Sequence, residues 1–344
     1  MTLAHVYVAT QKSGAMGIAQ ASFNSDTGDL SECMLVAATS DPGFLAVHPQ
    51  RTHLFVANAA TPGGVTSFRI ERDALIELNF VQSQGRGPSH ISIDRTGRYV
   101  LEANYGGAFI EVLSIQDDCA LGEQTAFVPH TGRGVDPERQ SRAYPHWIGT
   151  DPTNRFALVN DLGADRIYVY RFDQGTLTPN DPPFIHTHPA SGPRHLAWHP
   201  NGRLIYLIQE LSNEITSFAW DGNGGLTALH TVSTIASDFA GANTAAEIAV
   251  HRSGRLLVAS NRGEDSLVVF SIEADGRLAL RQRISSGGKT PRYFAFDPTH
   301  RWLLVTHQAS DNLVLFEMDS ASGELRGVTE RALAKPAGVL FVAR

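Results

Sequence analysis

The chain has 344 residues, of which 42% are hydrophobic and 18% charged, with 31 glycines and 17 prolines. This composition excludes a disordered chain and is typical of a turn-rich globular protein that buries a large core. The formal net charge of −7 disfavours broad capture of nucleic acid, so arginines that bind an anion would have to be concentrated at one place.

The N-terminal segment MTLAHVYVAT lacks a basic stretch followed by a long apolar one, and no apolar run in the chain approaches ~18 residues. The two cysteines, Cys33 and Cys119, are too few for a disulfide framework and are compatible with a reducing compartment. We therefore expect a cytoplasmic protein that has neither a membrane nor a nucleic acid as partner.

After the short apolar segment HVYVAT at 5–10, one unit recurs six times along the chain, beginning at residues 43, 88, 145, 193, 246 and 291. Each unit has an apolar strand, a turn, a second apolar strand, a polar gap and a third strand. The turn residues are separated by 46, 57, 48, 52 and 46 positions: His48, Asp94, Asp151, His199, His251 and Asp297. A fourth, more polar strand fits each period, as GRLALRQRI does at 276–284.

Four short strands in a period of this length are typical of a propeller blade. The C-terminal segment KPAGVLFVAR at 335–344 matches the first strand of the unit, and HVYVAT matches the second. Pairing these two segments would complete a seventh blade and leave no open sheet edge. The sequence therefore predicts an all-β, seven-bladed propeller with four antiparallel strands per blade, closed by its terminal strands, in one domain of residues 1–344.

The spacing of 57 exceeds its neighbours by about ten residues because of an insertion, HTGRGVDPERQSRAYPH at 130–146. Long ordered loops often carry function. We therefore expect the insertion to contribute to a site.

Positions at equal offsets from the turns should converge in a propeller. At the first strands they hold His146, Arg194 and Arg292, with His195 and Glu247 one place later, and at the ends of the second strands Glu210 and Arg262. We expect these side chains to lie at the mouth of the central channel, with His146 and Arg194 exposed there. Three asparagines also recur at one offset, and we expect them to bond the blade backbone instead: Asn58, Asn104 and Asn261.

Arginines suit an anionic ligand because a guanidinium makes charge-assisted bonds to carboxylate or phosphate. His146 or Glu210 could move protons beside it. The alternative is a polar network that only satisfies buried strand ends.

The motifs HTGRGVDPERQ, PHWIGTDPTNRFALVNDLGADRIYVY, GPRHLAWHP and IQELSN resemble the lactonase family of seven-bladed propellers. That family includes propeller-type 6-phosphogluconolactonases and the fungal 3-carboxy-cis,cis-muconate lactonizing enzymes. The resemblance implies metal-free and cofactor-free chemistry on a small anionic lactone at His146, Arg194, Glu210 and Arg262. Many relatives have a His-x-His pair where this chain has Tyr144-Pro145-His146, a departure that bears on the substrate more than on the fold.

Hydrolysis of a lactone needs a base to activate water, donors for the oxyanion and an acid for the leaving alkoxide. We assign the proton transfers to His146 or Glu210 and the oxyanion or carboxylate to Arg194. Substrate binding falls to Arg262, Arg292, His195 and Glu247. We expect hydrolysis like that of 6-phosphogluconolactonase, by a monomer.

Two alternatives remain open from the sequence. The same groups could run a lactonization of the carboxymuconate type. A noncatalytic propeller could instead present an aromatic patch to a ligand or peptide, using Tyr105, Tyr144, Trp147 and Phe239.

Overall fold

A computed structural model describes residues 3–11, 16–319 and 321–343. It contains 29 β-strands, and the described residues form no α-helix, so none of them forms a helix able to cross a membrane. The strands in chain order are β1 (Leu3–Thr10), β2 (Gly17–Asn24), β3 (Asp29–Leu30), β4 (Met34–Ala38), β5 (Pro42–Val47), β6 (His53–Asn58), β7 (Gly64–Ile70), β8 (Leu75–Gln82), β9 (Pro88–Ile93), β10 (Tyr99–Asn104), β11 (Phe109–Ile115), β12 (Leu121–Pro129), β13 (Pro145–Thr150), β14 (Phe156–Asp161), β15 (Arg166–Asp173), β16 (Thr176–His186), β17 (Pro193–Trp198), β18 (Leu204–Gln209), β19 (Glu214–Trp220), β20 (Leu226–Ser233), β21 (Thr244–Val250), β22 (Leu256–Arg262), β23 (Ser266–Ile272), β24 (Leu278–Ser285), β25 (Pro291–Phe296), β26 (Trp302–His307), β27 (Asn312–Met318), β28 (Leu325–Ala332) and β29 (Pro336–Ala343).

The strands form seven sheets. Six of them take four consecutive strands each, β5–β8, β9–β12, β13–β16, β17–β20, β21–β24 and β25–β28, and the seventh has the order β29-β1-β2-β3 with β4 also paired to β2. The chain is an all-β, seven-bladed propeller, as predicted. The predicted union of the two termini is also confirmed, because β29 pairs antiparallel with β1 and places Phe341 opposite Val6.

Backbone contacts divide the chain into two compact units. One, which we call the terminal unit, comprises Met1–Leu35 and His195–Arg344, and the other, the middle unit, comprises Val36–Arg194. Each unit has its own apolar clusters. In the middle unit Leu101, Val159 and Tyr170 share one cluster, and in the terminal unit Val258, Leu303 and Phe316 share another. The single-domain organisation stays a prediction.

Strand position within a blade explains the sequence pattern. The second strands β6, β18 and β26 are almost wholly buried, so they read as continuous apolar runs. The fourth strands β12 and β28 alternate between covered and exposed positions because one of their faces meets water. This difference hides the period-two pattern in the strands that lie nearest to the core.

The turn residues that mark the repeat are structural, and they work in two ways. Asp94 Oδ1 accepts bonds from the backbone N–H groups of Arg98 and Tyr99, at 2.8 and 2.9 Å, and so closes its own turn. His48 Nε2 instead lies 3.0 Å from the carbonyl oxygen of Gly97 in the turn of the following blade. Gly97 has a φ of +76°, and a Cβ there would lie 2.4 Å from the His48 ring, so this turn requires glycine.

The recurring asparagines bond the backbone near the strand ends, as expected. Asn58 Nδ2 donates to the Ser40 carbonyl at 2.8 Å, and Asn261 Nδ2 donates to the Thr234 carbonyl at 2.8 Å. Asn104 Oδ1 accepts from the N–H of Gly107 at 2.7 Å. These bonds satisfy polar backbone groups of the loops at the points where the strand pairing of a blade ends.

Candidate functional site

Glu210 and Arg262 form a buried ion pair in the terminal unit. Glu210 follows β18 and Arg262 ends β22, and Arg262 Nη2 lies 2.8 Å from Glu210 Oε2, with 14% and 5% of the two side chains exposed. The same Nη2 donates to the Ala245 carbonyl at 3.1 Å, and the Ala245 N–H donates to the Glu210 carbonyl at 3.1 Å. The ends of two second strands therefore meet, as the offsets predict, and the charge of Arg262 is balanced by Glu210.

A second buried pair in the terminal unit joins His195 and Glu247. His195 Nδ1 lies 2.9 Å from Glu247 Oε2, and the side chains are 4% and 7% exposed. Glu247 Oε1 also accepts the N–H of Ile248 at 3.0 Å. A carboxylate at Nδ1 fixes the orientation of the imidazole and favours the tautomer that carries a proton there. This arrangement suits a histidine that must present its other nitrogen in one direction.

Arg292 lies in β25 and is half-buried. The next residue, Tyr293, has its ring edge-on to His195, with centroids 6.4 Å apart. The structure thus places the strand that carries Arg292 beside the His195–Glu247 pair.

The middle unit holds the other two predicted residues. His146 lies in β13 and is 6% exposed, and Arg194 lies in β17 and is 2% exposed. Ser89 Oγ donates to the His146 carbonyl at 3.2 Å, and Asn160 Nδ2 donates to the Arg194 carbonyl at 3.2 Å. Our expectation that these side chains are exposed is wrong. Their strands pack closely against neighbouring strands, and Tyr105 lies edge-on to His146 with centroids 5.7 Å apart.

The insertion at 130–146 is anchored by a buried histidine that the sequence reasoning did not identify. His130 Nδ1 lies 2.9 Å from Asp161 Oδ2, and its Nε2 lies 3.0 Å from the Tyr170 hydroxyl. Asp161 Oδ1 accepts the N–H of Tyr144 at 2.8 Å. Both ring nitrogens of His130 therefore have a hydrogen-bond partner, and burial raises the pKa of Tyr170, which keeps its hydroxyl protonated.

The signal for this anchor was available in part, because His130 is the first residue of the insertion and Asp161 ends a second strand. The anchor fixes the backbone at Tyr144, which is two residues before the candidate histidine His146. His130 and Asp161 therefore hold the chain segment that leads into His146.

A cavity of about 590 Å³ lies elsewhere in the terminal unit, and none of the predicted site residues lines it. Its lining includes His251, Arg252 and His300, at turns that precede second strands. His251 precedes β22 whereas Arg262 ends it, so this cavity and the ion pair lie at opposite ends of one strand. Burial lowers the pKa of His300 to about 4 and also lowers that of His251. Both imidazoles are therefore neutral at pH 7.

The fold and these pairs define a class of seven-bladed propellers whose strand ends carry buried histidine, arginine and glutamate side chains. The family described as "Lactonase, 7-bladed beta-propeller" matches residues 5–341 of this chain. The chain belongs to this lactonase family.

Relatives in the family carry informative names. A 6-phosphogluconolactonase of Bacillus subtilis is 35% identical over 327 residues, which is 93% of this chain and 92% of the relative. A 6-phosphogluconolactonase of Serratia proteamaculans is 33% identical and covers 96% of both chains. A solved structure described as the periplasmic gluconolactonase PpgL of Pseudomonas aeruginosa is 33% identical, with a TM-score of 0.95 over 99% of both chains.

Proposed function

We propose that the protein is a lactonase that hydrolyses a small anionic sugar-type lactone, with 6-phosphogluconolactone as the first candidate. The observation that carries this proposal is the buried Glu210–Arg262 pair, at 2.8 Å, at strand ends where a core needs neither residue. Two relatives at 33–35% identity are named 6-phosphogluconolactonase, and a solved structure at 33% identity is named as a gluconolactonase; these names support the proposal.

The chemistry follows from the demands of ester cleavage. Water attacks the lactone carbonyl, the ring C–O bond breaks, and the products are a carboxylic acid and a free hydroxyl group. Glu210 and His146 carry the proton transfers, and Arg194 stabilises the oxyanion through charge-assisted hydrogen bonds. Arg262 and Arg292 bind the anionic substrate, and the His195–Glu247 pair contributes a further oriented imidazole.

We further propose that this reaction needs no metal ion or cofactor and that the protein works as a single-domain monomer in the cytoplasm. The two free thiols, Cys33 and Cys119, support a reducing compartment. Activity that survives dialysis against a chelator supports the first point, and sedimentation and cell fractionation test the others.

A binding propeller without catalysis finds less support. Such a module needs an exposed aromatic patch, yet its four candidate residues are half-buried: Tyr105, Tyr144, Trp147 and Phe239. Three of them are engaged in ring contacts: Tyr105 stacks on Tyr144 with ring centroids 4.6 Å apart, and the Trp147 ring centroid lies 5.4 Å from that of His90.

The decisive experiment is proton release measured with three lactones: 6-phosphogluconolactone, glucono-1,5-lactone and a carboxymuconolactone. We expect wild type to accelerate the first above its spontaneous rate, and His146→Ala and Glu210→Gln to lose most of that activity. His188→Ala, which changes an exposed histidine of the middle unit, serves as the control. A wild-type rate equal to the spontaneous one on every lactone would refute the proposal.

A further inference from the structure

An aromatic and cationic surface lies next to His146, and the proposed mechanism does not use it. Tyr105 stacks on Tyr144, with ring centroids 4.6 Å apart and an interplanar angle of 22°. The guanidinium of Arg142 lies 5.1 Å from the centroid of the Tyr144 ring, and Tyr105 meets His146 edge-on. We call Tyr105, Arg142 and Tyr144 the Tyr–Arg wall.

The wall is held in place by bonds within the middle unit. Arg142 Nη2 donates to the Gly106 carbonyl at 2.7 Å, and the hydroxyls of Ser141 and Tyr144 lie 3.2 Å apart. The bond from the Tyr144 N–H to Asp161 ties the same residue to the buried anchor. An exposed arginine fixed at its guanidinium and stacked on a ring has already lost much of its rotamer freedom. Less entropy is then lost when it binds a ligand.

The charge of Arg142 is not balanced locally. Among the described residues it forms no ion pair with a carboxylate, whereas Arg262 lies 2.8 Å from Glu210. A guanidinium has five N–H donors, and the Gly106 carbonyl takes one. The hydrogen bond from Ser141, followed by that from Arg142, lowers the pKa of Tyr144. The wall therefore presents donors and positive charge to an anion.

We propose that the Tyr–Arg wall recognises the phosphate of a phosphorylated sugar lactone whose carbonyl lies at His146. Arg142 supplies charge-assisted bonds to the phosphate oxygens, and the Tyr144 hydroxyl supplies a further donor. This assignment rests on the proposed lactonase function and names its selectivity. It places the phosphate group at Arg142, which forms no ion pair with a carboxylate among the described residues, and leaves the contacts with the rest of the substrate to Arg262 and Arg292. It also gives a role to the residue at which the chain departs from the His-x-His pattern, since that residue is Tyr144.

The test compares kcat/KM for 6-phosphogluconolactone and glucono-1,5-lactone in wild type, Arg142→Gln and Tyr144→Phe. We expect Arg142→Gln to lower kcat/KM for 6-phosphogluconolactone about 10- to 100-fold, mainly because KM rises. The kcat/KM for glucono-1,5-lactone should change less than about twofold. Tyr144→Phe keeps the ring that supports Arg142, so its loss of kcat/KM for 6-phosphogluconolactone should be smaller than that of Arg142→Gln. Arg133→Gln, at another exposed arginine of the insertion, is the matched control.

Equal losses on both lactones would overturn the inference, because Arg142 would then only support the segment that carries His146. No loss on either lactone would also overturn it. Calorimetry with the stable acids separates this inference from the proposed function. If wild type binds 6-phosphogluconate more tightly than gluconate and Arg142→Gln abolishes this preference, the phosphate site at the Tyr–Arg wall is supported even if no lactone is hydrolysed. If the protein hydrolyses a lactone but shows no such preference, the lactonase function is supported and the phosphate site is refuted.

Discussion

At the residue scale, side chains at the ends of the second strands have two different roles. Asn58 and Asn261 bond to loop backbone, whereas Glu210, just past its strand, bonds to the side chain of another candidate residue, Arg262. Identical residues at one offset correctly predicted a structural role. The residues that break the repeat remain candidates for the site, and the sequence did not disclose that Glu210 and Arg262 pair.

Removing one member of the buried pair should affect both activity and stability. Glu210→Gln leaves the Arg262 guanidinium without its counter-charge, and breaking a buried pair costs about 3–5 kcal/mol. We expect an unfolding free energy lower by a few kcal/mol and a kcat reduced about 10²- to 10⁴-fold. Urea unfolding and proton release measure the two effects, and Glu210→Gln with Arg262→Gln should recover part of the stability but none of the activity. Stability of the double variant below that of either single variant would contradict the pairing.

Two carboxyl groups buried in the middle unit predict a pH dependence. Glu102 lies directly opposite Glu111 in the β10–β11 register, and Ser83 Oγ and Asn104 Nδ2 donate to it at 2.8–2.9 Å. Burial, and then the charge of Glu111, raise the pKa of Glu102 from 4.5 to about 8. Between these two values the folded state holds a proton that the unfolded chain has lost, so the free energy of unfolding falls as pH rises from about 4.5 to about 8.

Glu102→Gln should remove this dependence, because an amide keeps one donor and one acceptor without titrating. We expect the variant to lose less stability than wild type across that window and to be the more stable of the two at pH 8. Chemical unfolding at several pH values measures this. Glu123→Gln, at an exposed position on β12, is the control and should follow the wild-type curve. Parallel curves for wild type and Glu102→Gln would show that the pair does not titrate in this range.

At the element scale, the insertion shows what a spacing can and cannot predict. The 57-residue interval located an extra segment and suggested a functional role. It could not reveal that His130 anchors the segment, because Asp161 and Tyr170 reach His130 only through tertiary folding. The same limit produced the error on exposure, since no offset indicates that Tyr105 covers one side of His146.

The anchor predicts a local rather than a global defect. In His130→Ala the insertion loses two buried hydrogen bonds, so its chain should open more often while the blades stay folded. We expect faster tryptic cleavage at Arg133, Arg139 and Arg142, together with an activity loss of about tenfold or more. Limited proteolysis followed by mass spectrometry locates the cuts, with His188→Ala as the control. Cleavage spread evenly over the chain would point to general unfolding instead.

At the scale of the whole molecule, the repeat was sufficient to predict the number of blades and the union of the chain ends. It succeeded because the marker residues, such as His48 and Asp94, close the turns of successive blades and are therefore needed in nearly every copy. Substrate identity does not follow from the repeat, because it depends on side chains that differ between blades.

The pairing of β1 with β29 predicts that the stability of the fold depends strongly on residues 336–344. Removing residues 336–344 exposes the β1 edge and part of an apolar cluster that includes Val6 and Val339. We expect a melting temperature at least about 10 °C lower, or insoluble protein, since one strand of a blade and its packing are lost. Thermal unfolding tests this against removal of residue 344 alone, and an unchanged melting temperature would show that the terminal pairing contributes little.

This pairing also sets an order of events during synthesis. The β1 strand is synthesised before every other described strand, and its neighbour β29 is synthesised after all of them. The nascent chain must therefore carry an unsatisfied β1 edge while the strands of the other six blades are made. The blade that contains β1 and β29 is therefore begun before the other six blades and completed after them. During that time its β1 edge can pair with a strand of another nascent chain.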